Sequence, residues 1–110
     1  MKVLSTNLDS KKDAINAGNA MGVMKDYTGV SLIMTGFVIY EDTKEDGTVQ
    51  IVTSIKTQDG FIGSTSANVR STVEMIEAEY TPEEIKAGIP FTIRSSESKN
   101  GRKFLTLEIL

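Results

Sequence analysis

Two alternating runs, "PFTIRSSES" and "RKFLTLEIL", meet at Asn100-Gly101. Asn-Gly between alternating segments is the strongest short-range signal for a β-hairpin, because both residues tolerate the positive φ that a tight hairpin turn demands. A hairpin fixes which side chains share a face, since successive residues point to opposite sides of a strand. Lys103, Leu105, Leu107 and Ile109 fall on one side, and Arg102, Phe104, Thr106 and Glu108 on the other. The aliphatic set must be the core face, joined by Phe91 and Ile93 from the partner strand. Phe104 is then left pointing outward among polar neighbours, on the same side as Thr92 and Arg94.

The chain upstream supplies three more strands and a helix. "VSLIMTGFVIYE" is long, β-branched and aromatic, and Gly36 in its middle marks a bend or bulge of the kind that lets a strand curl. "TVQIVTSIKT" alternates, with Val49, Ile51 and Ile55 on one face and Gln50, Ser54 and Lys56 on the outer one; "FIGST" follows the Gln58-Asp59-Gly60 turn as a short third strand. The period then changes. Val69, Val73, Ile76 and Tyr80 form one stripe of a helix, with Arg70, Glu74 and Glu77 on the opposite side. In "TPEE", Thr81 as cap, Pro82 in the first position and Glu84 closing a capping box start a second helical piece that Gly88 stops. In "LDSKKDAINAGNAMGVMKDYTG", Asp9 or Ser10 caps a short helix carrying Ala14, Ile15 and Ala17, and Gly18 and Gly22 point to an irregular passage.

The predicted order is strand, strand, strand, helix, strand, strand. A mainly β, five-stranded OB-fold-like barrel with its helix between strands 3 and 4 has that layout, and other antiparallel α+β folds fit the same string. The 110 residues leave room for one core, so residues 1–110 are read as a single domain with 1–29 as a loosely defined N-terminal segment.

Composition restricts chemistry more than shape. The chain has neither cysteine nor histidine, which removes disulfides, thiolate sites, the commonest metal ligand and the commonest general base near neutral pH. No enzyme activity, metal or cofactor is expected. The acids of "EDTKEDG" lack the alternating spacing of a calcium loop and read as a solvated hairpin tip turning at Asp46-Gly47. No apolar run is long enough to span a membrane, and "MKVLSTNLDS" lacks the apolar centre of a signal peptide, so a cytoplasmic protein is expected.

The net charge of −3 hides a pattern. Residues 41–90 carry four Lys/Arg against ten Asp/Glu, whereas residues 91–110 carry four against two. Local potential, not the sum, is what holds phosphate. The outer face of the last hairpin therefore offers Phe104 among Arg94, Lys99, Arg102 and Lys103, with Lys56 from the second strand. Rings that stack on bases, set among cations that follow a phosphate chain, are what sequence-tolerant single-strand binding needs. Phe37 and Tyr40 fall on opposite faces of the first strand, so one of the two is a candidate for exposure, with Tyr40 the one assigned to the site. Phe61 after its Gly turn is another candidate, with the core as its competing and better-fitting place, as for Phe91. Cover by a loop or by the N-terminal segment is the competing reading for an outward ring.

"TVQIVTSIKTQDGFIGSTSANVRSTVEMIE" and "FTIRSSESKNGRKFLTLEIL" together resemble the single-stranded DNA-binding proteins of small protein-primed phages of Gram-positive bacteria. The resemblance covers about the last two-thirds of the chain; "TPEEIKAG" is an addition to the pattern. It implies a protein that coats single-stranded DNA during phage replication, in the host cytoplasm and in the company of replication proteins. Residue by residue it points to Lys99, Arg102 and Phe104, with Tyr40 and Phe61 as further stacking positions. The alternative is a small acidic protein-interaction module, such as a phage-encoded inhibitor of a host factor. That reading starts from the stretch 41–84, which holds ten of the fifteen carboxylates.

Overall fold

The computed structural model describes residues 2–19 and 22–110. In chain order the elements are β1 (Lys2–Thr6), α1 (Lys11–Gly18), β2 (Gly22–Val23), a 3-10 turn (Met24–Tyr27), β3 (Ser31–Thr43), β4 (Val49–Thr57), β5 (Gly60–Ser64), α2 (Ala67–Glu79), α3 (Pro82–Ala87), β6 (Ile89–Glu97) and β7 (Lys103–Ile109). The protein is mainly β. All five expected strands form, with α2 and α3 between the third and fourth of them. The sheet nevertheless has seven strands, not five, because β1 and β2 join it from the N-terminal segment. The irregular passage expected between Gly18 and Gly22 falls partly on residues 20 and 21, which lie outside the described residues.

The sheet runs β2-β5-β4-β3-β6-β7, and β1 also pairs with β3. Its centre is β3, whose one edge carries β4 from Met34 to Thr43. The other edge is shared: β6 takes Ser31–Met34 and β1 takes Val38–Glu41. The switch of partner coincides with a bulge between Met34 and Gly36, at the glycine the sequence marks as a bend. A bulge adds twist and re-aims the strand, and the sheet accordingly curls into a half-barrel. Backbone groups left without a ladder partner at such a switch must be satisfied in another way. Asn7 does this from the loop after β1: its Oδ1 accepts from the Phe37 N–H at 2.8 Å, and Thr6 Oγ1 donates to the Phe37 carbonyl at 2.7 Å. A Cβ at Gly36 would lie 2.5 Å from Leu8 Cδ2, which packs over the bend, so a side chain there would require Leu8 to shift.

The main core fills the inside of the curl. Leu32, Met34, Phe37, Ile39, Ile55 and Ile62 from the sheet meet Val69, Val73 and Ile76 of α2 and Ile85 of α3. Ser66 anchors α2, its Oγ accepting from the Val69 N–H at 3.3 Å and donating to the Leu105 carbonyl of β7 at 2.9 Å. Thr81 and Glu84 form the expected capping box at the start of α3. Where β5 and β6 stand apart, the 3-10 turn crosses between them. It begins from β2, which pairs with β5, and ends at Thr28, which bridges Ile93 of β6. Met24 enters the core from this crossing and is fully buried.

If the crossing belongs to the cooperative core, Met24→Ala removes a fully buried side chain and lowers the unfolding free energy by about 2–5 kcal/mol. Ile15→Ala, at a position 63% exposed on α1, changes it by less than about 0.5 kcal/mol. Urea titration followed by circular dichroism reads both; an unchanged midpoint for Met24→Ala would place residues 22–27 outside the cooperative unit.

Candidate functional site

The eight residues singled out by the sequence fall into two groups on the structure. The first is on the β6–β7 hairpin. Its loop is a three-residue connection: the Gly101 N–H donates to the Ser98 carbonyl at 2.9 Å, and the Ser98 N–H donates to the Arg102 carbonyl at 2.8 Å. Gly101 has φ +78, whereas no non-glycine residue among the described ones has positive φ, so Asn100 does not adopt the second left-handed conformation of a two-residue turn. Lys99 therefore stands at the exposed tip, Arg102 at the exposed end of the loop and Lys103 at the exposed start of β7.

Register across the hairpin pairs Ser96 with Phe104, Arg94 with Thr106 and Ile93 with Leu107. Leu107 and Ile93 are buried, as expected of the core face, and Phe104 on the other face is only half-buried. A cleft of about 460 Å³ lies between the 3-10 turn and this end of the hairpin. Its lining is Lys25, Thr28, Ser95, Lys103, Phe104 and Leu105. Lys25, Lys99, Arg102 and Lys103 take part in no ion pair among the described residues. Glu97 opposes Lys103 across the ladder without pairing to it. Arg94 differs from these four: Glu108, its neighbour on the outer face of the hairpin, takes its guanidinium in an ion pair.

The second group is Tyr40, Lys56 and Phe61, which lie on the outer face of β3, β4 and β5. Here the expectation of exposed rings is corrected: Tyr40 and Phe61 are each only 6% exposed. Both faces of β3 are covered at this point. Phe37 and Ile39 look into the main core, while Val38 and Tyr40 join Phe61 and Ala17 of α1 in a second apolar cluster, with Leu8 and Val52 at its margin. Ser54, placed outside by alternation, is fully buried in the same layer. Lys56 donates to Asp13 of α1 at 3.0 Å in a partly exposed ion pair, an interaction worth roughly 0–1 kcal/mol. A smaller cavity of about 320 Å³ opens between α1 and the strands, bordered by Lys12, Asn16, Asn19, Lys56 and Phe61.

Lys25 is the site residue that sequence reasoning missed. It sits in the stretch read as irregular, and its approach to Phe104 depends on the Thr28–Ile93 bridge, which no periodicity announces. The cover over Tyr40 did have a signal. "FVIY" is four apolar residues in succession, the pattern of a strand buried on both faces.

Burial raises the Tyr40 phenol above its ordinary 10.0, and the Asp42 carboxylate adds to the shift. The folded protein therefore holds this proton at pH values where the unfolded chain has begun to release it. The contribution is present in full below pH 10 and is lost as pH climbs through the native value. Stability should fall more steeply above pH 10 in the wild type than in Tyr40→Phe, measured by urea midpoints from pH 9 to 11; identical slopes would mean that the phenol is not desolvated.

Among the described residues no group of three potential metal ligands comes together. No helix among them is long and apolar enough to cross a membrane. No protein-family model matches this chain, no curated protein aligns with it significantly, and no solved structure matches it significantly.

Proposed function

We propose that this protein binds single-stranded DNA with little sequence preference, as a coating protein of the phage replication type, and that the sheet is an OB-type barrel left open. The strand order β5-β4-β3-β6-β7 with α2 between β5 and β6 supports the OB reading. One observation carries the functional reading. Phe104 is half-buried and borders the cleft that Lys25 and Lys103 also line, Lys103 from the other face of β7, with Lys99 and Arg102 on the adjoining loop. A half-buried ring can still offer a face to a base, and four cations not engaged by carboxylates remain for phosphates. The net charge of −3 does not oppose this, because the carboxylates concentrate elsewhere, in the β3–β4 loop and along α2 and α3.

The test is anisotropy of a fluorescein-labelled dT oligomer at two salt concentrations with duplex DNA as competitor. Binding should weaken steeply with salt and survive the duplex. Phe104→Ala should raise Kd by about 5- to 150-fold, the loss of 1–3 kcal/mol of stacking on one base. An unchanged Kd would remove Phe104 from the interface. Lys99→Gln and Arg102→Gln should each lower the slope of log K against log salt by about 0.7 while weakening all sequences alike.

The second reading, an acidic protein-interaction module, is favoured by the surface of α2 and α3. Glu74, Glu77, Glu79, Glu83 and Glu84 are all exposed there around a 61% exposed Met75. Absence of dT binding at low salt, with capture of a basic protein through this surface, would select it.

A further inference from the structure

We infer that Asn100 is a self-modification site: it loses its side-chain amide and becomes aspartate or isoaspartate, adding a carboxylate to the cationic hairpin loop. The effect on DNA binding rests on the reading above; the conversion does not. The reaction needs only water. The Gly101 backbone nitrogen gives up its proton and attacks Asn100 Cγ; the Cγ–Nδ2 bond breaks, and the amide leaves with a proton as ammonia. Water then opens the succinimide, giving its hydroxyl to carbon and its other hydrogen to the Gly101 nitrogen. Opening at Cγ yields aspartate. Opening at the Asn100 main-chain carbonyl carbon yields isoaspartate, whose chain runs on through Cβ and Cγ.

The sequence singles out this residue. A side chain on the following residue hinders the attack, and glycine has none. Asn100-Gly101 is the only Asn-Gly pair in the chain: Asn7, Asn16, Asn19 and Asn68 precede Leu8, Ala17, Ala20 and Val69. Asn16 and Asn68 are also fixed within α1 and α2, and Asn7 is held by the Phe37 N–H. Asp46-Gly47 and Asp59-Gly60 can close the same ring, but they expel water and regain a carboxylate, so no charge changes.

The structure leaves the pair accessible. Asn100 and Gly101 are both exposed. Gly101 has φ +78, a conformation that favours glycine, so the turn itself retains the unhindered nitrogen. Beyond its chain neighbours, a Cβ built on Gly101 would meet nothing nearer than Glu97 Oε1 at 3.7 Å, which leaves room for the ring on that side. One bond stands in the way, from the Gly101 N–H to the Ser98 carbonyl at 2.9 Å. It lies at an exposed loop tip, where opening costs least. Charge favours the reaction. Lys99, Arg102 and Lys103 adjoin the pair, form no ion pair among the described residues, and outnumber Glu97. Cations stabilise both the nitrogen anion and the oxyanion that its attack creates.

Either product sets a new carboxylate among the cations assigned to phosphates. Isoaspartate also inserts an extra backbone atom into a loop closed tightly at its base. There the Ser98 N–H donates to the Arg102 carbonyl at 2.8 Å, and the Arg102 N–H to Ser98 Oγ at 3.2 Å.

The test incubates the full-length protein in mildly alkaline buffer; cleavage after glutamate then releases Ser98–Glu108 as one peptide for mass spectrometry. A synthetic peptide of residues 98–108, incubated alongside, gives the rate without the turn. Conversion at Asn100 within about tenfold of the peptide's rate is expected, since one exposed hydrogen bond has to open. Slower conversion than that, or faster conversion at another asparagine, would overturn the modification site. The converted form, separated by ion exchange, and Asn100→Asp should each bind the dT oligomer about three- to tenfold more weakly than fresh protein. Asn100→Gln, whose longer side chain closes a ring far more slowly, should neither convert nor lose affinity on incubation. Equal affinity of fresh and converted protein would overturn the effect on binding. Conversion with no dT binding by any form would overturn the nucleic-acid reading of the hairpin and leave Asn100 a modification site.

Discussion

The structure depends on one strand being closed to water on both sides. From Gly36 to Tyr40 every residue of β3 is buried, and no single sheet face can achieve that. One layer must lie inside the curl and another outside it. The inner layer comes from α2, α3 and Met24, and the outer one from α1, Leu8 and Phe61. The bulge at Met34–Gly36 makes the double cover possible, since it turns Phe37 and Ile39 toward the same core as Leu32 and Met34 despite the odd spacing. The N-terminal segment is thereby drawn into the fold. Thr6 and Asn7 satisfy the bent backbone, and Leu8 occupies the space that Gly36 leaves free.

Covering β3 twice has a consequence for the distribution of exposed chemistry. The outer face is divided by what the N-terminal segment reaches. Over β4 and β5, α1 arrives and the rings of Tyr40 and Phe61 are closed off. Over β6 and β7 nothing among the described residues forms a comparable layer, and Phe104 keeps part of its ring accessible. The same division separates the cations. Lys56 and Arg94 are held by Asp13 and Glu108, whereas the cations near the hairpin loop have no carboxylate within ion-pair distance among the described residues. Pairing removes a charge's reach more effectively than distance does, because a neutralised pair presents a dipole rather than a monopole to an approaching phosphate.

Much of the fold was legible because periodicity is a local property. The stripe Val69, Val73, Ile76 named the buried face of α2, Thr81 and Glu84 named their capping box, and Gly36 named the bulge. Phe104 was placed outside correctly since Leu107 and Ile93 fixed the inner face of its hairpin. What failed was the inference from an outer face to an exposed one. Alternation tells which side of a sheet a residue takes, not whether a second layer lands there. Tyr40, Phe61 and Ser54 are all on the outer face and all are buried, the two rings in one cluster with Ala17 of a helix whose destination is a tertiary fact. β1 and β2 were missed for a related reason. Two residues of strand in β2 carry no pattern, and β1 is exposed over nearly all its length, so neither shows the alternation that marks a half-buried strand.

The two outer regions differ in how a ligand would gain access, and the difference is energetic rather than geometric. A base approaching Phe104 meets a ring already presented, so its stacking is opposed only by the desolvation of a partly exposed surface. Phe61 offers no such surface, because it is closed into the outer apolar cluster with Ala17 of α1, and Lys56 beside it is already held by Asp13. On the proposed reading the hairpin is therefore the surface that a strand would meet first, since neither a covering side chain nor a paired carboxylate has to be moved before contact.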